Sequence, residues 1–200
     1  MNNLILGDSF EVMKTLETGS VGLLLTDPDF WENTEEVKKF SVEVDRLLHK
    51  EGSFLLWTPL CYLDMCRKNF CNLFLQSAHF LETQDRFRTR VDTNFVVLRF
   101  VKTTQNKGDF GEMISLNTLQ KPTYQFLMAE DKCLGFFTLL IEKYHNPDIG
   151  YVLDPFSGGG STMAGAEILG REYICIEKSK DKYEKSLKFM ERMKGVPRVS

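Results

Sequence analysis

A strand, a glycine-rich turn and the start of a helix decide the fold of this chain. They read Tyr151-Val-Leu-Asp-Pro-Phe-Ser-Gly-Gly-Gly-Ser-Thr-Met-Ala-Gly-Ala166. Glycines at such a turn let the backbone approach a ligand closely, and open α/β sheets bind ligands at the carboxyl ends of their strands. The next apolar run, Tyr173–Ile176, ends at Glu177, an acid that can accept hydrogen bonds from both hydroxyls of a ribose. The segment predicts a nucleoside site, although a plain glycine turn followed by a solvated glutamate fits the same pattern.

Around this segment, apolar runs alternate with longer amphipathic stretches, which is typical of a mostly parallel sheet covered by helices. The predicted strands are Leu4–Leu6, Gly22–Thr26, Ser53–Trp57, Asn94–Val101, Tyr151–Leu153 and Tyr173–Ile176, with a weaker candidate at Leu75–Thr83. The predicted helices are Asn33–Leu48, Tyr62–Asn72, Lys132–His145, Thr162–Leu169 and Asp181–Met193. We expect one domain over residues 1–200, with a short recognition region or loop at about 103–128, where no period is visible.

The glycine-rich turn closely resembles the DPFxGSGTT motif of DNA amino-methyltransferases, in which it cradles S-adenosylmethionine. Leu169–Glu177 is similar to the LGR…IGIE segment of the same family, whose acid binds the ribose of that cofactor. The resemblance implies that Glu177 takes this role here. It implies that the turn binds the cofactor through Asp154, Phe156, Gly158, Gly160 and Ser161.

A second strand of the predicted sheet ends in the turn Asp27-Pro28-Asp29-Phe30. The family carries Asp, Asn or Ser at the first place, then two prolines and an aromatic residue. The resemblance implies that Asp27 and the carbonyl of Pro28 accept hydrogen bonds from a target amine, and that Phe30 stacks on a base flipped out of the duplex. An acid at the first place resembles the N6-adenine branch. Asp29 departs from the pattern, since a proline there would stiffen the loop.

Two further segments resemble parts of the cofactor site. Gly7-Asp8-Ser9-Phe10 is similar to the opening GD segment of the family, which implies that Asp8 contacts the adenine ring of the cofactor. An N-cap of a helix is an equally good role for Asp8, and both roles can hold together. The stretch before Leu134 resembles the segment that closes over the cofactor and implies a role for Lys132, which is otherwise an ordinary lysine at a helix start.

The order of the motifs, with the acid-proline turn before the glycine-rich turn, resembles the circularly permuted beta group of the family. The implied fold is α/β, the three-layer Rossmann-like class I methyltransferase fold. Its seven-stranded, mostly parallel sheet has the order 3-2-1-4-5-7-6 in the family's numbering, with the seventh strand antiparallel. The two turns then lie side by side at the carboxyl edge of the sheet.

Composition and local sequence patterns limit where in the cell the protein is expected and whether it is expected to bind a metal. Hydrophobic residues make up 42% and charged residues 26% of 200 residues, ordinary values for a globular protein. No apolar run is long enough to span a membrane, and the first residues do not form a signal peptide, so we expect a cytoplasmic protein, nucleoid-associated or, in a eukaryote, nuclear. The spacing of Cys61, Cys66 and Cys71 matches no zinc site, and no metal is expected.

The expected partner is DNA, although the net charge of −3 argues against tight binding by the chain alone. The short recognition region favours a homodimer or a partner subunit. Basic residues concentrated in the middle of the chain predict a DNA-facing side, unless they form a solvated strand face. They are Arg86, Arg88, Arg90, Arg99, Lys102, Lys107 and Lys121.

The sequence thus favours a DNA methyltransferase of restriction-modification type that is specific for adenine N6. The resemblance implies direct transfer from S-adenosylmethionine, without a covalent enzyme intermediate. Two alternatives stay open. One is a catalytically inactive methyltransferase-like subunit that binds DNA or a partner, which Asp29 and the net charge favour. The other is an RNA methyltransferase or an N4-cytosine methyltransferase.

Overall fold

The computed structural model describes residues 2–28, 33–80, 95–103 and 132–194. The strands of this part are β1 (Asn2–Leu6), β2 (Val21–Thr26), β3 (Leu48–Pro59), β4 (Phe74–Phe80), β5 (Phe95–Val101), β6 (Tyr151–Asp154) and β7 (Tyr173–Glu177). Its α-helices are α1 (Ser9–Thr15), α2 (Thr34–Leu47), α3 (Leu63–Asn69), α4 (Lys132–Tyr144), α5 (Ser161–Ile168) and α6 (Lys180–Met193). Short 3₁₀ turns occur at Leu60–Tyr62 and Pro147–Ile149.

The seven strands form one sheet in the order β1-β7-β6-β2-β3-β5-β4. The pairs β1–β7, β7–β6, β6–β2 and β2–β3 are parallel, and β5 is antiparallel to both β3 and β4. When this order is compared with the predicted order 3-2-1-4-5-7-6, the antiparallel β5 corresponds to the family's seventh strand. The predicted fold class and its circular permutation are therefore confirmed.

Helices cover both faces of the sheet because its central strands are apolar on both sides. On one face, Leu24 of β2 packs in a cluster with Phe40 of α2, Phe54 of β3 and Phe70. On the other face, Leu23 and Leu25 pack with residues of α4 and α5. All six residues of β2 are buried, as expected for a strand enclosed between two helical layers. The connections after β2 and β6 thus leave toward opposite faces of the sheet.

The predicted elements differ from the observed ones mainly at their ends. Strand β3 begins at Leu48, before the predicted Ser53, because the polar stretch from His49 to Glu51 still lies within the strand. The predicted helix Tyr62–Asn72 is a 3₁₀ turn followed by the shorter α3. The weaker candidate at Leu75–Thr83 corresponds to β4. Most of the predicted loop at about 103–128 lies outside the described residues.

Candidate active site

A cavity of about 660 Å³ opens at the carboxyl edge of the sheet. It lies where β6 and β2 are neighbours but their following segments diverge, which is where open α/β sheets bind ligands. Seven of the residues predicted from the sequence line this cavity together. They are Asp8, Asp27, Asp154, Phe156, Gly158, Ser161 and Glu177.

The glycine-rich turn takes a backbone shape that requires glycine at two positions. Gly158 and Gly160 have φ angles of +52° and +88°, and Gly160 is the N-cap of α5. A Cβ atom at Gly160 would lie 3.1 Å from Met163 Cε and from Ser186 Cβ, whereas a Cβ atom at Gly159 would meet no atom within 4 Å. The turn is thus held tightly at Gly160 and open toward the cavity at Gly159. Gly160 itself does not line the cavity.

Glu177 holds the turn from the end of β7. Its Oε2 accepts a hydrogen bond from Gly158 N at 2.9 Å, and its Oε1 accepts one from Ser179 N at 2.7 Å. The residue is 7% exposed and lines the cavity. Each carboxylate oxygen keeps acceptor capacity beyond its backbone partner, so the group can also receive hydroxyl donors from a ligand.

Asp154 lines the same cavity, but its carboxyl group is engaged by three donors of the protein. Oδ1 accepts from Thr26 Oγ1 at 2.7 Å and from Phe156 N at 3.1 Å, and Oδ2 accepts from Thr162 Oγ1 at 2.6 Å. Burial raises the pKa of Asp154 to about 6, against the lowering effect of these three donors, and the charge of Glu177 adds to the rise. These hydrogen bonds indicate that the Asp154 carboxyl group stabilises the conformation of the glycine-rich turn.

Asp8 is the N-cap of α1 and also lines the cavity. Its Oδ1 accepts from Phe10 N at 3.0 Å, and its Oδ2 accepts from Lys178 Nζ at 2.9 Å. The hydrogen bond from Lys178 is the main reason that the pKa of Asp8 is below its ordinary value. The neighbouring Ser9 donates through Oγ to the carbonyl of Pro155, which ties α1 to the glycine-rich turn.

The acid-proline turn reaches the cavity through Asp27, which is exposed and follows directly on β2. Pro28 is buried and is not one of the residues that line the cavity. Asp29 and Phe30 lie outside the described residues. Lys132 begins α4, but its side chain is also outside the described part of the chain.

The cavity side chains that sequence reasoning missed include Phe10, Phe137, Lys178 and Lys182. Phe10 lies edge-on to Phe156, with ring centroids 6.3 Å apart. Phe137 is part of the apolar stripe of α4, and a helical stripe does not reveal which member lies at a cavity. The position of Lys178 directly after Glu177 was the one available signal for the two lysines.

Two of the basic residues predicted to face DNA have partners within the fold. The guanidinium of Arg99 lies 4.6 Å from the centre of the Tyr144 ring, and its Nε donates to Ser53 Oγ at 3.1 Å. Lys102 Nζ lies 3.8 Å from Asp45 Oδ1. These contacts give both side chains a role within the fold that does not involve DNA. The other five, between Arg86 and Lys121, lie outside the described residues.

The described residues contain neither a candidate metal site nor a candidate membrane span. No group of three or more His, Cys, Asp or Glu side chains is arranged to hold a metal ion in ranges 2–28, 33–80, 95–103 and 132–194. In the same ranges, no helix has the length and apolar character needed to cross a membrane.

Comparisons with known proteins agree with this geometry. A family model described as DNA methylase, of the N6/N4 type, matches residues 132–188, which include the glycine-rich turn and Glu177. The Type II methyltransferase M.HinfI of Haemophilus influenzae is 23% identical over an alignment that covers 98% of this chain and 70% of that protein.

Solved structures of related folds match nearly the whole chain. A putative DNA modification methylase from Thermus thermophilus, complexed with S-adenosyl-L-methionine, has a TM-score of 0.72 at 18% identity, covering 100% of this chain and 96% of the other. The cytosine-N4-specific PvuII DNA methyltransferase has a TM-score of 0.68 at 18% identity, covering 93% and 85%. Residues 132–188 thus match the N6/N4 DNA methylase family model, and the chain shares its fold with solved DNA methyltransferases.

Proposed function

We propose that this chain transfers a methyl group from S-adenosylmethionine to the N6 amine of adenine in DNA. One observation carries the proposal: a single cavity is lined both by the turn that Glu177 holds and by Asp27. A cofactor bound along the turn and a base held at Asp27 would meet within that cavity. An acid at the first place of the acid-proline turn resembles the adenine branch of the family, whereas PvuII methyltransferase acts on cytosine N4.

The residues of the cavity fit this cofactor. A volume of about 660 Å³ lies within the range of ordinary small-molecule sites. Gly159 leaves the turn open, and the buried Ser157 Oγ, which also lines the cavity, has no hydrogen-bond partner within the described residues. We infer that the turn from Asp154 to Ser161 holds the methionine part of S-adenosylmethionine. Glu177 would accept hydrogen bonds from both hydroxyls of its ribose. Asp8 would lie at the adenine ring of the cofactor.

The cofactor supplies an electrophilic methyl group, and the residues of the chain prepare the amine that receives it. The lone pair of an exocyclic amine is delocalised into the base, so the amine is a weak nucleophile until its geometry changes. The Asp27 carboxylate and the Pro28 carbonyl would each accept one N–H hydrogen bond, which draws the nitrogen toward tetrahedral geometry. Phe30 would stack on the flipped base. Catalysis of this kind rests on positioning and on the placement of charge.

Asp27 also offers a route for the proton that the amine loses. Its side chain is exposed, so a proton accepted there can pass to water. The chemistry of Asp27 and of Glu177 serves DNA and RNA alike, so the test compares both nucleic acids. Because DNA is the expected substrate, we propose that the protein works in the cytoplasm of a bacterial cell or in the nucleus of a eukaryotic one.

A catalytically inactive subunit is the second candidate, and Asp29 favours it. At this position the family carries a proline, which fixes φ and stiffens the loop. Aspartate brings flexibility and a negative charge near the proposed base site. If Asp29 impairs the site, Asp29→Pro raises methyl transfer, and if Asp29 has a role of its own the same change lowers it.

The experiment that tests the proposed function has two steps. Calorimetric titration of the purified chain with S-adenosylmethionine should show one site per chain. The chain should then be incubated with the cofactor and either duplex DNA or RNA, and the nucleosides should be analysed by mass spectrometry, with S-adenosylhomocysteine as the control. N6-methyladenine in DNA supports the proposal. N4-methylcytosine or methylated RNA would reassign the substrate, and cofactor binding without any methylated base would favour the inactive subunit.

A further inference from the structure

We propose that Thr26 is a positioning residue that fixes Asp27 relative to the glycine-rich turn through the buried carboxyl group of Asp154. The proposal rests on the proposed function, which makes Asp27 the group that meets the target amine. Thr26 itself touches neither of the two ligands in this account. Its effect passes through a hydrogen bond between two segments that carry the two halves of the site.

The need for such a link follows from the topology of the sheet. Backbone pairing between β2 and β6 ends at the pair Leu24 and Leu153. Beyond it the chain after β2 leads to α2 on one face of the sheet, and the chain after β6 leads to α5 on the other face. Asp27 and the glycine-rich turn therefore lie past the point where the backbone holds the two strands together.

A side-chain hydrogen bond crosses this gap. Thr26 Oγ1 donates to Asp154 Oδ1 at 2.7 Å. The same carboxyl group accepts from Phe156 N in the turn at 3.1 Å and from Thr162 Oγ1 in α5 at 2.6 Å. We call these residues, Thr26, Asp154, Phe156 and Thr162, the carboxyl bridge. It joins the end of the strand that carries Asp27 to the turn proposed to hold the cofactor.

The carboxyl bridge is shielded from water, which makes its hydrogen bonds effective and specific. Thr26 and Thr162 are 0% exposed, and Asp154 is 3% exposed. A buried hydroxyl is unfavourable unless it is hydrogen-bonded, and a buried carboxyl group even more so. Thr26 follows three buried leucines in β2, where an apolar residue would fill the space without that cost. The polar pair at this place therefore indicates a function in fixing the geometry.

Asp27 follows Thr26 directly in the chain, so the carboxyl bridge acts on its position through the backbone. It is exposed, and the residue before it is the last one of β2. Within the described residues, the backbone of Thr26 pairs with β3, through Leu56. Losing the hydrogen bond to Asp154 would let the end of β2 move relative to the turn, and a misplacement of about 1 Å can cost on the order of a hundred-fold in rate.

The test uses Thr26→Val, which keeps the shape of the side chain and removes the hydroxyl, and Thr26→Ser, which keeps the hydroxyl. Thr26→Ala is a second deletion of the hydroxyl in case the valine packs poorly. The matched control is Thr58→Val, because Thr58 is also a buried threonine near the carboxyl end of a strand, in β3, but does not line the cavity. Each variant is measured for cofactor affinity, for kcat of methyl transfer and for thermal unfolding.

We expect Thr26→Val to lower kcat by about ten- to a hundred-fold while the dissociation constant for S-adenosylmethionine changes by less than about three-fold. Thr26→Ser should restore kcat to within about three-fold of wild type, and Thr58→Val should leave kcat within about two-fold. A folded Thr26→Val or Thr26→Ala protein with the wild-type kcat overturns the proposal. An equal loss in Thr58→Val, or no rescue by serine, also overturns it.

A measurement that does not depend on activity separates this proposal from the proposed function. The carboxyl carbon of Asp154 can be titrated by NMR in wild type, in Thr26→Val and in Thr26→Ala. Because the Thr26 hydroxyl lowers the pKa of Asp154, its removal should raise that pKa above the value of about 6, with Glu177 and Cys175 as the other titratable groups nearby. An inactive wild-type chain with this rise refutes the proposed function but leaves the carboxyl bridge standing. An unchanged pKa in Thr26→Val refutes the bridge.

Discussion

The side chain of Glu177 accepts hydrogen bonds from two backbone amides, so it organises the site as well as offering a contact to a ligand. Glu177→Gln replaces one acceptor oxygen by an NH2 donor and keeps nearly the same side-chain shape. We expect it to weaken S-adenosylmethionine binding by about 1.5–3 kcal/mol, the cost of losing a hydrogen bond to a charged group. Calorimetry on the folded variant measures this change.

Glu184→Gln is the matched control for that experiment, because Glu184 is exposed on α6 and does not line the cavity. Its affinity should equal that of wild type. Unchanged affinity in Glu177→Gln would rule out the ribose contact.

Asp154 makes the stability of the fold depend on pH. Its pKa is raised by burial from 3.8 to about 6, so between these values the folded state binds a proton that the unfolded state does not bind. Its contribution to stability is therefore fully present below pH 3.8 and is lost as the pH rises through about 6. The side chain at this position does not titrate in Asp154→Asn. Its amide can still form hydrogen bonds with the hydroxyls of Thr26 and Thr162.

We expect the free energy of unfolding of Asp154→Asn, relative to wild type, to rise by about 2–4 kcal/mol between pH 4 and pH 7. Urea unfolding of both proteins across this range gives the difference directly, and groups common to both cancel. A difference that stays constant with pH would show that the carboxyl group of Asp154 is not shifted upward.

At the residue scale, the sequence predicted several side chains that line one cavity, but not the hydrogen bonds that each of them forms. Asp154 and Glu177 were both expected at the cofactor, because a motif gives a position along the chain. Which oxygen of Asp154 faces Thr26 depends on a pairing between strands that are distant in sequence. Lys178 illustrates the same limit, since its hydrogen bond to Asp8 joins residues 170 positions apart.

The packing of α5 against α4 depends on the absence of a side chain at Gly165. A Cβ atom there would lie 2.8 Å from Thr138 Oγ1 and 3.2 Å from the Thr138 backbone, which cannot move aside. We expect Gly165→Ala to lower the free energy of unfolding by about 1–3 kcal/mol, as overpacking of a core does. Denaturant unfolding measures it, with Gly159→Ala as the control that meets no neighbour within 4 Å. Equal stability of the two variants would contradict this account of the helix contact.

Among the elements, the long periodic helices were predicted most closely, whereas a short helix and an edge strand gave weaker signals. Helices α4 and α6 were predicted within about two residues of their ends, a usual margin. Helix α1 has only seven residues and was expected only through its cap at Asp8. Strand β4 gave a weak signal because it lies at the edge of the sheet, where Phe74 is 53% exposed and burial imposes less pattern.

For the whole molecule, the strand order that the family resemblance implies is the order observed. The acid-proline turn precedes the glycine-rich turn, which resembles the circularly permuted beta group, and the observed strand order agrees with that group. Charge was a poorer guide, since Arg99 and Lys102 are engaged inside the fold. Whether a basic side chain faces a ligand or a neighbouring helix is decided by packing, which a local pattern does not contain.

We expect the chain to need a second copy or a partner subunit to methylate duplex DNA well. Its net charge of −3 gives little attraction to phosphate, and specific DNA interfaces generally bury about 1,000 Å² or more. Light scattering should show a dimer, or gel-shift assays at several salt concentrations should show binding only with a partner. A monomer that binds and methylates duplex DNA alone at physiological salt would refute this expectation.

Methyl transfer by wild type and by Asp27→Ala, on the same DNA with labelled S-adenosylmethionine, tests the central claim most directly. Asp64→Ala serves as the control, because Asp64 is exposed on α3 and does not line the cavity. The account predicts that Asp27→Ala binds the cofactor with wild-type affinity and transfers no measurable methyl group, while Asp64→Ala behaves as wild type. Transfer by Asp27→Ala at the wild-type rate would contradict it.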